Sequence, residues 1–245
     1  MNILEILDRF PTQESCIAFL EATRWGSGSA ICPYCESCNT AKGQRHRRCY
    51  DCKRGFSVLV GTAFHGTHLP LRKWFMAIAL MLNAKKGLSA LQLSRDLEIN
   101  KNTAWRIMMQ IRGRMRQSKR RDLLIRIDEM DKVRIGGKPL RTYIQERDDR
   151  RRTTLTTDET TELTRAVARH ADWYVDDDIN ANRFWELLIR GVSGQYHILS
   201  YHHLQQYVDE FCYRYDLRAV DPFEAFHFTV RRCLGVVEDR SERHV

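Results

Sequence analysis

The sequence CPYCESCNTAKGQRHRRCYDCKRGF, residues 32–56, organises the N-terminal part of this chain. Two Cys-x-x-Cys pairs, Cys32/Cys35 and Cys49/Cys52, stand on either side of a short, polar and basic loop. Each pair places two sulfurs on one side of a tight knuckle, and two facing knuckles supply the four thiolates of a tetrahedral zinc site. Metal binding then replaces the apolar core that so short a segment cannot build. The spacing therefore predicts a zinc ribbon that holds a structural Zn²⁺ ion.

One further cysteine leaves the ligand set open. Cys38 forms a third Cys-x-x-Cys with Cys35, so it competes with Cys32 for a place among the four ligands. We expect Cys38 to be the spare thiol, because Pro33 and Tyr34 lie inside the first pair as in a typical knuckle. The alternative to a zinc site is a set of free or disulfide-paired thiols. The metal-ligand spacing of the cysteines and the lack of a secretory context argue against this alternative.

The chain as a whole is basic and globular. It has 245 residues, a net charge of +9, a pI near 9.3 and a hydrophobic fraction of 43%, which leaves room for two or three small domains. The positive charge is concentrated between Lys101 and Arg126, which makes a polyanion, with nucleic acid ahead of membrane, the expected partner. The N-terminus has no basic n-region and the most apolar run, 74–82, is too short to cross a bilayer, so we expect a cytoplasmic protein.

Helical and strand patterns surround the cysteine segment. Thr12 can cap a helix that precedes the segment, and the β-branched run Ser57–Val60 predicts a short strand after it. From Leu71 the apolar residues take helical spacing, which predicts a helix that stops at Gly87. The tail from Asp221 to Val245 alternates aromatic and charged residues, which predicts a terminal helix that frays.

Two short helices are predicted between the first long helix and the basic run. Ser89 caps the first, a tight connection follows at Glu98–Ile99, and Asn100 caps the second, which is longer and basic. The apolar residues that this second helix offers to the core are Ala104, Ile107, Met108 and Ile111. This is the sequence form of a helix-turn-helix, whose second helix enters the major groove of DNA. The residues able to reach bases or phosphates from its first turns are Lys101, Asn102, Thr103 and Arg106. The alternative to a DNA-binding motif is an ordinary helical hairpin whose polar face contacts solvent. The positive charge through Arg126 and the neighbouring zinc ribbon favour DNA contact.

Several short motifs occur together along residues 10–116 and again along 184–215. They are Arg24-Trp25, the two cysteine knuckles, Gly61-Thr62, Leu69–Trp74, Lys85–Ala90, Asn102–Trp105, Phe184-Trp185, Arg190-Gly191 and Glu210-Phe211. With these motifs the chain resembles the transposases of bacterial insertion sequences that carry an N-terminal zinc ribbon and a DDE-type catalytic domain, the ISXO-like group. The resemblance implies that double-stranded DNA with terminal inverted repeats is the substrate, bound by a homo-oligomer.

The resemblance also implies a ribonuclease-H-like domain in which three positions hold two Mg²⁺ ions. Such ions activate the attacking oxygen and stabilise the leaving oxygen during DNA strand cleavage and joining. Carried over position by position, the three fall on Asp131, Asp158 and Asn182. Asp128 lies near the first position, but its distance to the following Gly-Gly pair is wrong. At the second position, a helix-capping box of Thr156 and Glu159 is the alternative to a catalytic role.

Two departures from the family pattern bear on catalysis. The third position is an amide, Asn182, which carries no charge for magnesium. Only 26 residues, 132–157, separate Asp131 from Asp158. In a ribonuclease-H-like core this part contains two strands, a helix and their loops, which need about 40–60 residues. We therefore expect the central strands to be missing.

The sequence thus predicts an α+β multidomain protein. Residues 1–65 form an N-terminal helix and zinc ribbon, 66–122 a helix-turn-helix DNA-binding region, and 123–245 an incomplete ribonuclease-H-like domain rich in helix. Two hypotheses follow: a transposase that uses Zn²⁺ for structure and Mg²⁺ for chemistry, or a catalytically impaired DNA-binding remnant or transposition repressor. A third, in which the ribbon binds protein, is weaker.

Overall fold

The computed structural model describes residues 1–43, 46–116 and 201–236, with short pieces in between. The pieces are 134–135, 138–139, 142, 145–146, 154–156, 158–159, 165, 186–188, 190–191, 195–196 and 199–200. Two of the predicted catalytic residues, Asp131 and Asn182, therefore lie outside the described residues.

Helices dominate the described part of the chain. They are α1 (Ile3–Arg9), α2 (Gln13–Trp25), α3 (Leu71–Asn83), α4 (Ala90–Asp96), α5 (Lys101–Met115), α6 (Tyr201–Asp216) and α7 (Pro222–Leu234), with a 3₁₀ turn at Leu217–Ala219. The strands are β1 (Thr40–Lys42), β2 (Arg47–Cys49), β3 (Gly55–Phe56), β4 (Arg134–Ile135), β5 (Lys138–Pro139), β6 (Thr154–Leu155) and β7 (Leu199–Ser200). The expected mixture of helices and small sheets is confirmed. Among the described residues, no helix has the length and apolar character needed to span a membrane.

The predicted cap of α2 is confirmed, whereas α3 ends earlier than predicted. The Thr12 hydroxyl accepts a hydrogen bond from the backbone N–H of Ser15 at 3.2 Å. Helix α3 ends at Asn83 rather than at Gly87. Ala84, the residue that follows, has a non-helical ψ of 89°, and its carbonyl accepts from the N–H of Gly87 at 2.9 Å and from the Arg214 guanidinium, so a tight turn replaces the predicted last helical turn.

One aromatic core joins both ends of the chain. The Phe10 and Phe75 rings lie 4.9 Å apart, and the Phe75 and Phe226 rings 5.4 Å apart, both edge to face. Phe19 stacks on Phe226 at 6.1 Å. Edge-to-face and offset rings at these separations bury large apolar areas in favourable geometry. Helices α1, α2, α3 and α7 therefore share a single hydrophobic core.

The terminal helix predicted within Asp221–Val245 is confirmed at Pro222–Leu234, and the predicted fraying falls on residues 237–245, which lie outside the described residues. Asp221 caps this helix by accepting from the N–H groups of Phe223 and Glu224, and the helix ends at Gly235, which has a φ of +75°. Its inner face is buried in the core, and the carbonyl of Cys233 accepts from the N–H of Ala63 at 2.8 Å. The sequence pattern did not predict this burial, because most of the residues that cover the apolar face of α7 are far away along the chain.

The cysteine segment forms a three-stranded antiparallel sheet in the order β1-β2-β3. Cys49 pairs with Thr40, and Arg47 pairs with Phe56. The strand predicted at Ser57–Val60 is wrong, because residues 58–60 form a turn. The reason is Arg24, whose Nη1 donates to the carbonyls of Val58 and Val60 at 2.5 and 2.8 Å, so these carbonyls bond to a side chain rather than to a sheet.

The remaining strands form two separate pairs. Strand β4 pairs with β5, and β6 pairs with β7, all antiparallel and two residues long. Within the described residues no larger sheet is formed by them. A ribonuclease-H-like domain therefore stays a prediction, as does the division of the chain at residues 65 and 122.

Candidate metal centre and nucleic-acid interface

Four sulfurs converge at the end of the small sheet. The Sγ atoms of Cys32, Cys35, Cys49 and Cys52 all lie within 4.8 Å of one another. The Cys32–Cys52 pair is 3.6 Å apart and the Cys35–Cys49 pair 3.5 Å apart. A tetrahedral zinc ion with Zn–S bonds of about 2.3 Å requires sulfurs about 3.8 Å apart. The donor set and its spacing therefore fit a structural zinc ion.

The two knuckles have the same backbone design. The N–H of Cys32 donates to the carbonyl of Ser37 at 2.9 Å, and the N–H of Cys49 donates to that of Arg54 at 3.0 Å. In each knuckle the residue after the second cysteine has a positive φ, 59° at Glu36 and 61° at Lys53. Non-glycine residues adopt this conformation only when the surroundings enforce it. The chain therefore bears local strain to aim both cysteine pairs at one point.

Backbone hydrogen bonds prepare one of these sulfurs for metal. The N–H groups of Cys52 and Asp51 lower the pKa of the Cys49 thiol to about 7. The N–H of Ser37 acts in the same direction on Cys35, but burial and hydrogen bonds to the other three thiols raise the pKa of Cys35. Metal binds the thiolate form, so a lowered pKa reduces the proton competition near neutral pH. The Asp51 carboxylate accepts from Ser37 at 2.5 Å and from Asn39 at 2.8 Å, and these bonds join one knuckle to the other.

Cys38 does not belong to this cluster. The cysteine is exposed, and the four-sulfur group found among the described residues consists of the other cysteines of the ribbon. The structure thus brings together the four residues predicted as ligands, while zinc binding itself stays a prediction. Cys212 and Cys233 are buried, as expected for small apolar side chains.

The ribbon is fixed to α2 by one aromatic residue and by two ion pairs to the same carboxylate. The Trp25 ring meets Phe56 edge to face at 6.2 Å, and the Arg47 guanidinium lies 4.9 Å from the Trp25 ring centroid. Arg47 also donates to Glu21 at 3.2 Å, and Lys42 reaches the same carboxylate at 3.3 Å. Helix α2 therefore positions the ribbon against the helical core.

The caps predicted for α4 and α5 are confirmed. Ser89 accepts from the N–H of Gln92 at 3.1 Å, and Asn100 accepts from that of Asn102 at 2.8 Å. The connection between the helices is tight, and Glu98 takes a φ of 50° within it. The predicted inner face of α5 is buried, with Ala104, Ile107, Met108 and Ile111. Its action as a DNA-binding helix-turn-helix stays a prediction.

The residues predicted to contact DNA lie on the first turns of α5. Lys101, Asn102 and Arg106 are exposed and Thr103 is half-buried. The whole helix contains no acidic residue. Trp105, which the sequence pointed to only as part of the Asn102–Trp105 motif, is 43% exposed on this helix and lies 5.5 Å from the His203 ring of α6. The sequence contained a signal for this residue, because the helical pattern places its large aromatic side chain on the solvent-exposed face of α5.

The second predicted catalytic position lies at the start of a helical turn. Asp158 is exposed there, and the capping box considered as its alternative is present. The N–H of Thr156 donates to the Glu159 carboxylate at 2.8 Å, and the N–H of Glu159 donates to the Thr156 hydroxyl at 3.3 Å. A cap made by its neighbours leaves the Asp158 carboxylate available, so its catalytic role remains a prediction.

Comparison with known proteins points to mobile elements. Residues 11–55 match the family described as "Transposase zinc-ribbon domain". A protein of Halobacterium salinarum, described as "Uncharacterized protein in transposable element ISH50", is 28% identical over 102 residues, which cover 40% of this chain and 34% of that protein. The chain thus spans about a third of the length of this relative. No solved structure matches.

Proposed function

We propose that this protein is an insertion-sequence transposase that binds the terminal inverted repeats of its element, because residues 11–55 match a transposase zinc-ribbon domain. The observation that carries the proposal is the four-sulfur cluster in that domain. The relative from a transposable element supports it. A homo-oligomer on two paired DNA ends is part of the proposal.

The metal would stabilise the ribbon and take no part in the chemistry. A closed set of four thiolates leaves no coordination position for water or substrate, which is typical of structural zinc. Cys32, Cys35, Cys49 and Cys52 would hold the ion. Our interpretation is that the ribbon, fixed to α2 through Trp25, extends the DNA-binding surface beyond α5.

Charge and exposure on α5 support DNA as the partner. Lys101 and Arg106 are exposed on a helix without acidic residues, so the phosphate backbone would meet uncompensated positive charge. Asn102 and Thr103 are suited to hydrogen bonds with base edges or phosphates. We therefore assign contact with the major groove to the first turns of α5.

The DNA-binding step is tested with Lys101→Ala and Arg106→Ala, measured by fluorescence anisotropy on terminal-repeat DNA at several salt concentrations. Each variant should bind more weakly, and the slope of log affinity against log salt should fall by about 0.9 for each lost phosphate contact. Arg190→Ala is the matched control, since Arg190 is exposed but lies 2.8 Å from the Glu186 carboxylate. Unchanged affinity in both α5 variants would exclude this helix as the contact.

For catalysis we propose that Asp131, Asp158 and Asn182 hold Mg²⁺. Two such ions would activate the attacking oxygen and stabilise the leaving oxygen. The test is a nicking and strand-transfer assay on terminal-repeat DNA with and without Mg²⁺. Asp131→Ala and Asp158→Ala should abolish the activity. Glu159→Ala, which removes the adjacent cap but no proposed ligand, should retain it.

A second candidate function is DNA binding without chemistry, as in a transposase remnant or a transposition repressor. The observation that favours it is the short segment of 26 residues between Asp131 and Asp158, together with an amide at position 182. Salt-sensitive DNA binding without any Mg²⁺-dependent cleavage would favour this candidate. Strand transfer that Asp131→Ala abolishes would exclude it.

A further inference from the structure

Gly113 occupies an unexpected place in α5. It is helical and exposed, and two further helical residues follow it. A Cβ atom added there would have no other atom within 4 Å, and φ is not in the left-handed region. Glycine inside a helix costs about 1 kcal/mol relative to alanine. Neither the backbone conformation nor packing among the described residues therefore requires glycine at this position.

The glycine lies in line with the residues proposed to contact DNA. Asn102, Arg106, Gln110 and Gly113 follow one another at intervals of three or four residues, which places them on one face of α5. All four are exposed. The distance along the helix axis from first to last is about 17 Å. This face is therefore longer than the first turns that sequence analysis selected.

Positive charge surrounds the glycine end of this face. Arg114 and Arg116 are exposed next to Gly113. Arg232 of α7 is half-buried, with its guanidinium 5.3 Å from the Tyr213 ring centroid. It donates to the carbonyl of Arg116 at 3.2 Å, so a third cation lies at this end of α5. These cations are complementary to the phosphate groups of DNA.

We infer that α5 lies lengthwise along DNA and that Gly113 is the point where the DNA backbone approaches the helix most closely. The inference rests on the proposed DNA binding and extends it from the first turns of α5 to its last. A residue without Cβ lets the phosphate chain come within contact distance of the helix backbone, while Arg114, Arg116 and Arg232 neutralise its charge. Any side chain at position 113 would hold the DNA away from these cations.

The test uses Gly113→Ala and Gly113→Lys in the full chain, with a mixed-sequence duplex of about 30 base pairs at low salt, since backbone contacts do not depend on sequence. Gly113→Ala should raise the urea midpoint of unfolding, because alanine is the better helix former, and yet lower DNA affinity by about fivefold or more. Gly113→Lys adds a cation and should still weaken binding. Leu4→Lys, at a position on α1 that is 70% exposed, controls for added charge and should bind at least as tightly as the wild type.

Each outcome decides the inference. Weaker binding by both Gly113 variants, with the fold intact, supports it. If the wild type binds the duplex and both variants bind equally well or more tightly, the inference is overturned while the proposed DNA binding stands. A wild type without salt-sensitive affinity for the duplex overturns both.

Discussion

The Nε atom of Arg112 lies 2.6 Å from Oε2 of Glu210, and both side chains are buried. Glu210 also lies 3.3 Å from Nε of Arg214, and the Arg112 guanidinium lies 4.0 Å from the Tyr207 ring centroid. Burial alone would lower the pKa of Arg112, but the Glu210 carboxylate raises it above its ordinary value. Arg112 therefore stays charged, and its contact with Glu210 fixes α5 against α6.

Removing the central carboxylate should destabilise the protein more than removing one arginine. Glu210→Gln leaves two guanidinium groups buried without a counter-charge, and we expect a loss of about 3–5 kcal/mol in the free energy of unfolding. Arg112→Met leaves Glu210 paired with Arg214, so its loss should be smaller. Urea unfolding of both variants checks the order. Equal losses would contradict the view that Glu210 balances both arginines.

The cysteines should fall into three classes of reactivity. With zinc bound, we expect one fast thiol among the eight, Cys38, which is exposed outside the cluster. Burial raises the pKa of Cys16 to about 11 and that of Cys233 to about 12, so these thiols should react only after unfolding. A chelator should release one zinc ion per chain and make the cluster reactive. Thiol titration with parallel zinc analysis measures all three classes.

Two serine variants provide the control for the metal. Cys38→Ser should keep one zinc ion per chain and lose the fast thiol. Cys35→Ser removes a member of the cluster and should lose the metal. Loss of zinc in Cys38→Ser, with Cys35→Ser unaffected, would show that the ligand set is wrong.

Helix α7 should be essential for the N-terminal core. Phe226 is fully buried among Phe10, Phe19 and Phe75, so Phe226→Ala should cost about 3–5 kcal/mol. Phe223 is only half-buried on the same helix, and Phe223→Ala should cost clearly less. The free energies of unfolding of the two variants are compared by urea denaturation. If Phe226→Ala proved nearly neutral, α7 would not be part of the core.

The cap of α5 should contribute measurably to stability. Asn100→Ala leaves the N–H of Asn102 without the acceptor that it has at 2.8 Å, and such a loss costs about 1 kcal/mol. Asn100→Asp keeps an acceptor and places negative charge at the helix N-terminus, so it should match or exceed the wild type. Thermal unfolding of both variants tests this, and an aspartate variant as weak as the alanine variant would argue against capping.

Local patterns were predictable where the deciding contacts lie close in sequence. The two knuckles, the caps at Thr12, Ser89 and Asn100, and the inner face of α5 depend on residues within a few positions of one another. Cysteine spacing also singled out the four residues whose sulfurs meet. The strand predicted at Ser57–Val60 failed because its carbonyls bond to Arg24, a side chain more than 30 positions away.

The sequence by itself determined the two cysteine knuckles and the α4–α5 pair, because cysteine spacing, caps and helical periodicity act over a few residues. Only the tertiary structure decided that α7 belongs to the core and that Arg112, counted by sequence within a solvated basic run, is buried against Glu210. Both depend on contacts between residues about 100 or more positions apart, as with the 98 positions between Arg112 and Glu210. No local sequence pattern indicates such a distant contact. Whether a charged side chain or an aromatic face is buried depends on which distant segment of the chain covers it.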